Sequence, residues 1–129
     1  MALFDINAKQ KLEKLWGWRK DTHYVVVKTA DYAVTPEESG KTFSNFGDAG
    51  PIVYSLPPSE PGLHYWFVDM TGLQTIDVTP KWDETITHRT TTGAVGVALQ
   101  SAAGYARCHL VAKDGDWIED TASGDWSHV

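Results

Sequence analysis

Cysteine is nearly missing from this chain. Cys108 stands alone among 129 residues, which excludes an intrachain disulfide, and nothing indicates an oxidising compartment. Its alternation with Ala106, Leu110 and Ala112 marks it as a small buried hydrophobe. Long hydrophobic runs are missing too. No apolar stretch approaches the ~20 residues of a membrane-spanning helix, and the N-terminus lacks the apolar run of a secretory leader, so no membrane partner is expected. Five histidines are scattered at positions 23, 64, 88, 109 and 128. None forms an i, i+4 pair and no Cys–His spacing suggests zinc, so neither a metal nor a cofactor is expected. The serine elbow of hydrolases, the phosphate loop and the dinucleotide fingerprint are absent. Carboxylates do sit close together at Asp83-Glu84, Asp114-x-Asp116 and Glu119-Asp120. With 17 acidic residues in the chain such pairs arise readily, and no convergent constellation points to a glycan hydrolase or any other enzyme. Asp114-Gly115-Asp116 lacks the further oxygen ligands of a calcium loop and reads as a hairpin turn.

What the chain does have is aromatic side chains and segregated charge. It holds six Trp, five Tyr and four Phe. Each buries on the order of 150–250 Å² when covered, so a core, a partner contact, or both, must hide most of them. The formal net charge is −6. Residues 1–20 nevertheless carry five basic against two acidic groups, and the remainder carries six against fifteen. The length suits one domain, divided here into an N-terminal arm at 1–21 and a β domain at 22–129. The acidic body repels phosphates, which argues against nucleic acid as a ligand.

The arm reads as a short helix over 5–17, capped by Asp5 or Asn7 and ended by Gly17. Ala8, Leu12, Leu15 and Trp16 share one face. At about three turns it is marginal alone in water and needs something to lie against. Its own domain is one such surface; a larger particle or its symmetry mates are another. Trp16-Gly17-Trp18 followed by Arg19-Lys20 has the composition of a docking patch, since aromatics and Arg are enriched at interfaces. The docking candidates are Lys9, Lys11, Leu12, Lys14, Leu15, Trp16, Trp18, Arg19 and Lys20.

From Thr22 the pattern turns to strands. The central stretch runs from Gly40 to Met70. Ile52, Tyr54 and Leu56 alternate with Val53 and Ser55. Pro57-Pro58 and Pro61-Gly62 end that strand. Leu63 to Val68 is apolar or aromatic on both faces: Leu63, Tyr65 and Phe67 on one, His64, Trp66 and Val68 on the other. Such a strand needs cover on both sides, and another copy of the chain can supply the second. Leu63, Tyr65, Trp66 and Phe67 are the interface candidates. Further short strands are expected at His23–Thr29, Asp31–Thr35, Gly72–Val78, Glu84–His88, Ala94–Gln100 and Tyr105–Lys113, with Asp114-Gly115 reversing the chain into Asp116–Glu119. Nine to eleven strands at roughly ten-residue spacing predict an all-β domain: a short-stranded antiparallel sandwich or barrel, or a β-helix-like stack. Trp117 and Trp126, each in a Gly-Asp-Trp unit, either point inward and close the core or make a sugar-stacking platform.

The order of these motifs carries a resemblance. Gly40-Lys41-x-Phe43-x-Asn45-x-Gly47, Ala49-Gly50-x-x-Val53-Tyr54-x-Leu56-Pro57 and Gly62-x-x-Tyr65-x-Phe67, followed by Cys108–Val111 and the two Gly-Asp-Trp units, resemble a β module of tailed-bacteriophage virion proteins. Asp48 departs from the pattern by lengthening the turn between Gly47 and Ala49. The resemblance spans roughly Tyr32 to Trp126 and implies a structural protein on the virion exterior, made in the host bacterial cytoplasm. The length suits a capsid decoration (cement) protein that binds the major capsid protein as a homotrimer. A tail-fibre or receptor-binding tip, or a carbohydrate-binding module, is the alternative.

Overall fold

The computed structural model describes residues 25–46, 50–71, 74–102 and 105–129. The expected N-terminal helix and all nine docking candidates, Lys9 to Lys20, lie outside them. The described chain is all β, as its alternation predicts. Its strands are β1 (Val25–Val27), β2 (Tyr32–Ala33), β3 (Thr42–Ser44), β4 (Ile52–Ser55), β5 (His64–Val68), β6 (Ile76–Thr79), β7 (Thr85–His88), β8 (Thr91–Thr92), β9 (Leu99–Ser101), β10 (Arg107–Lys113), β11 (Asp116–Ser123) and β12 (Trp126–His128). A single 3₁₀ turn at Pro36–Glu38 is held by the Glu38 carboxylate, which accepts from Thr35 N, Thr35 Oγ1 and Tyr32 OH.

Two sheets pack face to face. The first has the order β1-β3-β5-β10-β11-β7-β8 and the second β12-β9-β6-β4-β2. Both are mixed, not antiparallel throughout. β1, β3 and β5 run parallel in the first sheet, and β2, β4 and β6 run parallel in the second. The reason is the path of the chain. Odd strands enter one sheet and even strands the other, so each strand returns beside its predecessor in the same direction. Thr42 lies opposite Trp66 and Ile52 opposite Ile76, the same 24-residue offset in both sheets. The first half is therefore a short β-helix-like coil. After β6 the chain changes rule: β7–β8 and β10–β11 are antiparallel hairpins within the first sheet.

Proline and glycine set these changes of direction. Pro57-Pro58 ends β4, and Gly62 at φ +100° turns the chain into β5. Ser59 is fixed at that corner by Glu84, whose buried carboxylate accepts from Ser59 N and Oγ, while Ser59 Oγ accepts from Gly115 N. The β10–β11 hairpin turns at Gly115, φ +78°.

Period-2 alternation decides the core. Phe43, Tyr65 and Phe67 of the first sheet face Ile52, Tyr54, Ile76 and Val78 of the second, all fully buried. Phe43 stacks on Phe67 at 5.7 Å and 25° and meets Tyr54 at 5.3 Å. Each ring buried this way stabilises the fold by about 2–3 kcal/mol. Tyr65 OH donates to Thr35 O and Tyr54 OH to Ser44 O, so neither phenol is stranded; burial pushes the Tyr65 hydroxyl up to about 12. Cys108 is buried here as expected, its thiol raised by desolvation.

Gly124 tests the C-terminal packing. It turns the chain from β11 to β12 at φ +76°, and a Cβ there would stand 2.8 Å from Ala106 Cα and Cβ. Gly115 has a similar φ but open space around it. Gly115→Ala is expected to cost about 1 kcal/mol of backbone strain. Gly124→Ala adds a clash with backbone and is expected to cost about 2–3 kcal/mol. Urea midpoints of the two variants give the comparison, and equal losses would contradict the close approach at Ala106.

Candidate functional site

The outer face of the first sheet carries what the core does not absorb. Register places Val25, Thr42, Trp66 and His109 in one row across β1, β3, β5 and β10. Val27, Ser44, Val68 and Arg107 form the next row. On the other side of the first row, Val111 pairs with both His64 and Ile118. Val25 and Val27 are 42% and 47% exposed and Ile118 is 37% exposed, while Trp66, Val68 and Val111 are half-buried. Apolar side chains thus recur along this face with no described strand over them.

At its centre stands a chain of polar rings. His109 stacks on Trp66, centroids 4.3 Å apart at 10°. His64 meets His109 edge-on, with His64 Nδ1 2.9 Å from His109 Nε2. His109 Nδ1 lies 3.1 Å from Asp120 Oδ2. Asp120 reaches this face because of a β-bulge. Leu110 pairs with Glu119 and His109 with Thr121, so Asp120 is the extra residue between them. Bulges commonly re-aim a side chain in this way. The backbone of His64 is fixed in turn: His64 O accepts from Gly40 N at 2.7 Å, and His64 N donates to Ser39 Oγ at 3.0 Å.

The protonation state follows from donor counting. With Asp120 ionised, His109 Nδ1–H donates to it and leaves a lone pair on Nε2. His64 Nδ1–H then donates to that lone pair. One proton therefore lies between the two rings. Burial first, and the neighbouring His109 second, hold the His64 imidazole below the usual histidine range. A carboxylate–imidazole–imidazole chain can hold or pass a proton, and its two facing nitrogens are metal-ligand atoms.

Of the four interface candidates, Trp66 alone stands on the outer face. Tyr65 and Phe67 are fully buried inside the single copy, and Leu63 packs half-buried against the core. Tyr65 and Phe67 serve the core and cannot line a contact with another molecule, and Leu63 packs on the same inner side. The alternation separates the strand's faces correctly, but the inner one is covered by the second sheet. Trp117 and Trp126 are likewise buried, Trp126 Nε1 donating to Arg107 O. Neither offers a face to a sugar, so the inward alternative is the observed one. His109 and Asp120 are the residues that sequence reasoning missed. The outward phase of His109 in β10 was legible, but its partner His64 lies 45 residues away.

Two further polar clusters are internal. Asp69 joins Asn45, Thr71 and Ser101 at one end of the sandwich. His88 Nδ1 meets Glu119 Oε2 beside the His128 ring. No helix among the described residues is long and apolar enough to cross a membrane. No protein-family model matches the chain, and the search of curated proteins found no match.

Proposed function

We propose that the chain is a structural virion protein, a decoration protein that binds the outer surface of a tailed-phage head and stabilises it as a homotrimer. The observation that carries this reading is the outer face of the first sheet, over which no described strand lies. Val25, Val27, Trp66, Val68, Val111 and Ile118 recur on β1, β5, β10 and β11 among the polar Thr42, Ser44, His109 and Arg107, so a rigid body of this fold presents repeated apolar contact points to sister copies. The interface is thereby assigned to different residues from Tyr65 and Phe67, with Trp66 retained.

Charge supports the second half. The segment before β1 is basic and the body acidic. The body then faces solvent and keeps particles apart, while Lys9, Lys11, Lys14, Arg19 and Lys20 orient the arm on an acidic shell and raise its on-rate. Leu12, Leu15, Trp16 and Trp18 supply the apolar contact. Three arms on one trimer bind with avidity, so each grip can be weak.

Native mass measurement and co-sedimentation with expanded phage shells test both halves. The full chain is expected to run as a trimer and to sediment with shells. Deleting residues 1–20 is expected to leave the trimer and abolish sedimentation. Val27→Glu with Ile118→Glu, at exposed positions where the fold tolerates charge, is expected to give monomers. A monomeric full chain refutes the trimer, and undiminished shell binding by the truncated chain refutes the arm.

A further inference from the structure

We propose that His64 Nδ1 and His109 Nε2 form a bidentate surface site for a divalent transition-metal cation of the Zn²⁺, Ni²⁺ or Cu²⁺ class, with Asp120 as the outer carboxylate. This inference stands apart from the virion reading and does not depend on it.

Two imidazole nitrogens that face each other at 2.9 Å are held by one shared proton. A cation can take that proton's place. His64 then carries its hydrogen on Nε2, and both facing nitrogens present lone pairs. Zinc bonds to imidazole run about 2.0–2.1 Å, so a tetrahedral pair of nitrogens stands roughly 3.3–3.4 Å apart. The facing nitrogens must therefore separate by a few tenths of an ångström. There is room for this at His64. Its Nε2 and Cε1 edge lies over Gly40, 3.7–3.8 Å from where a Cβ would sit, and Gly40 has none.

The other ring is already fixed as a ligand. Metal-binding histidines typically donate their second N–H to a carboxylate, which sets the tautomer and raises the basicity of the ligating nitrogen. His109 Nδ1 has that partner in Asp120 at 3.1 Å. The bulge supplies it, turning Asp120 to the outer face while Glu119 reaches His88. Trp66 stacks on the flat of His109 and removes its rotational freedom. The His109 ring is thus oriented before a cation arrives, which lowers the entropic cost of binding, and His64 is the ring that shifts and changes tautomer. Among the described residues no group of three or more His, Cys, Asp or Glu converges on one point. The described residues therefore supply two ligands, and water reaching the outer face completes the shell. Soft or imidazole-favouring cations fit this set, whereas Mg²⁺ and Ca²⁺, which demand oxygen, do not.

Isothermal titration of the full chain with Zn²⁺ is the test. One saturable site per chain is expected. His64→Ala and His109→Ala are each expected to abolish it, and Asp120→Asn to weaken it about 10–100-fold. His128→Ala, whose ring nitrogen Nε2 lies against Ile86 O and not against either ring of the site, is expected to leave the affinity unchanged. Long-range ¹H–¹⁵N spectra of the unmodified chain read the site without any substitution: Zn²⁺ should shift His64 Nδ1 and His109 Nε2 and leave the His88 nitrogens in place. Absence of saturable binding overturns the proposal. So does binding that survives in His64→Ala, or Zn²⁺ shifts confined to other histidines.

Discussion

Trp117→Ala is expected to lower the unfolding free energy by about 3–5 kcal/mol, a large share of the about 5–15 kcal/mol available to a domain of this kind. Trp117 is 0% exposed. It sits in β11 between Ala112 of an antiparallel neighbour and Ile86 of a parallel one, and its ring lies 5.8 Å from Tyr65. No other side chain spans the same volume, so truncation leaves a cavity between the hairpin half and the coil half. Trp117→Phe behaves differently. The indole N–H has no hydrogen-bond partner among the described residues. Phenylalanine loses volume but removes that stranded donor, whose burial costs about 1–3 kcal/mol. The two effects oppose, and Trp117→Phe is expected within about 1.5 kcal/mol of the parent. Trp82, 76% exposed, is the control: Trp82→Ala should change stability by no more than about 0.5 kcal/mol. Urea melts of the three variants settle the ranking, and a Trp117→Ala loss as small as that of Trp82→Ala would contradict the core assignment.

Asp69→Ala is expected to cost about 3–5 kcal/mol, the sum expected when several buried donors lose their acceptor at about 1–3 kcal/mol each. Asp69 follows β5 in the first sheet and is fully buried. Its carboxylate accepts from Asn45 Nδ2 at 3.2 Å, Thr71 N at 3.2 Å and Ser101 Oγ at 3.1 Å. Ser101 belongs to β9 of the second sheet and accepts from Ile76 N at 2.8 Å. One carboxylate therefore ties the ends of both sheets together, and alanine strands several donors at once. Asp69→Asn keeps the volume and one acceptor, and Ser101 Oγ can accept from the new amide. Its loss is expected near about 1–2 kcal/mol. The cycle with Asn45→Ala distinguishes a network from independent bonds. The double variant is expected to lose at least about 1 kcal/mol less than the sum of its singles. Additive losses would mean that Asn45 and Asp69 act separately.

Much of this fold was legible because side-chain period reports which way residues face. Leu63 to Val68 alternates as β5 does, Pro57-Pro58 stops β4, and Asp114-Gly115 turns the β10–β11 hairpin. Period says nothing about neighbours. Parallel pairing of β3 with β5 depends on where the segment between Ser44 and His64 sends the chain, and no local residue signals it. Period also misled at Ala94–Gln100. Its alternation suggests a strand throughout, yet Val97 N donates to Ala94 O and Gly96 takes φ +72°, so the strand begins only at Leu99. At Tyr65 and Phe67 two apolar faces were visible, but not which of them the second sheet would cover. The candidate site was the least legible part. Trp66 was singled out for its face. Joining it to His109 and Asp120 requires both the β5–β10 register and a bulge, and neither is written in local sequence.

The coil formed by the first six strands has a consequence for synthesis. None of them completes a ladder with the strand next to it in sequence; β1 to β4 each wait for a strand one circuit further on, and β6 waits for β9. β5, inside its sheet between β3 and β10, waits for β10. Ribosomes deliver the N-terminal end first, and that end holds these six strands. The earliest segments therefore emerge without their permanent neighbours, and the tight reversal at Asp114-Gly115, which closes within a few residues, is the natural place for order to begin and spread backward. For a protein built this way, maturation is governed by its tail, and truncation from that end should harm the nascent chain more than loss of its head.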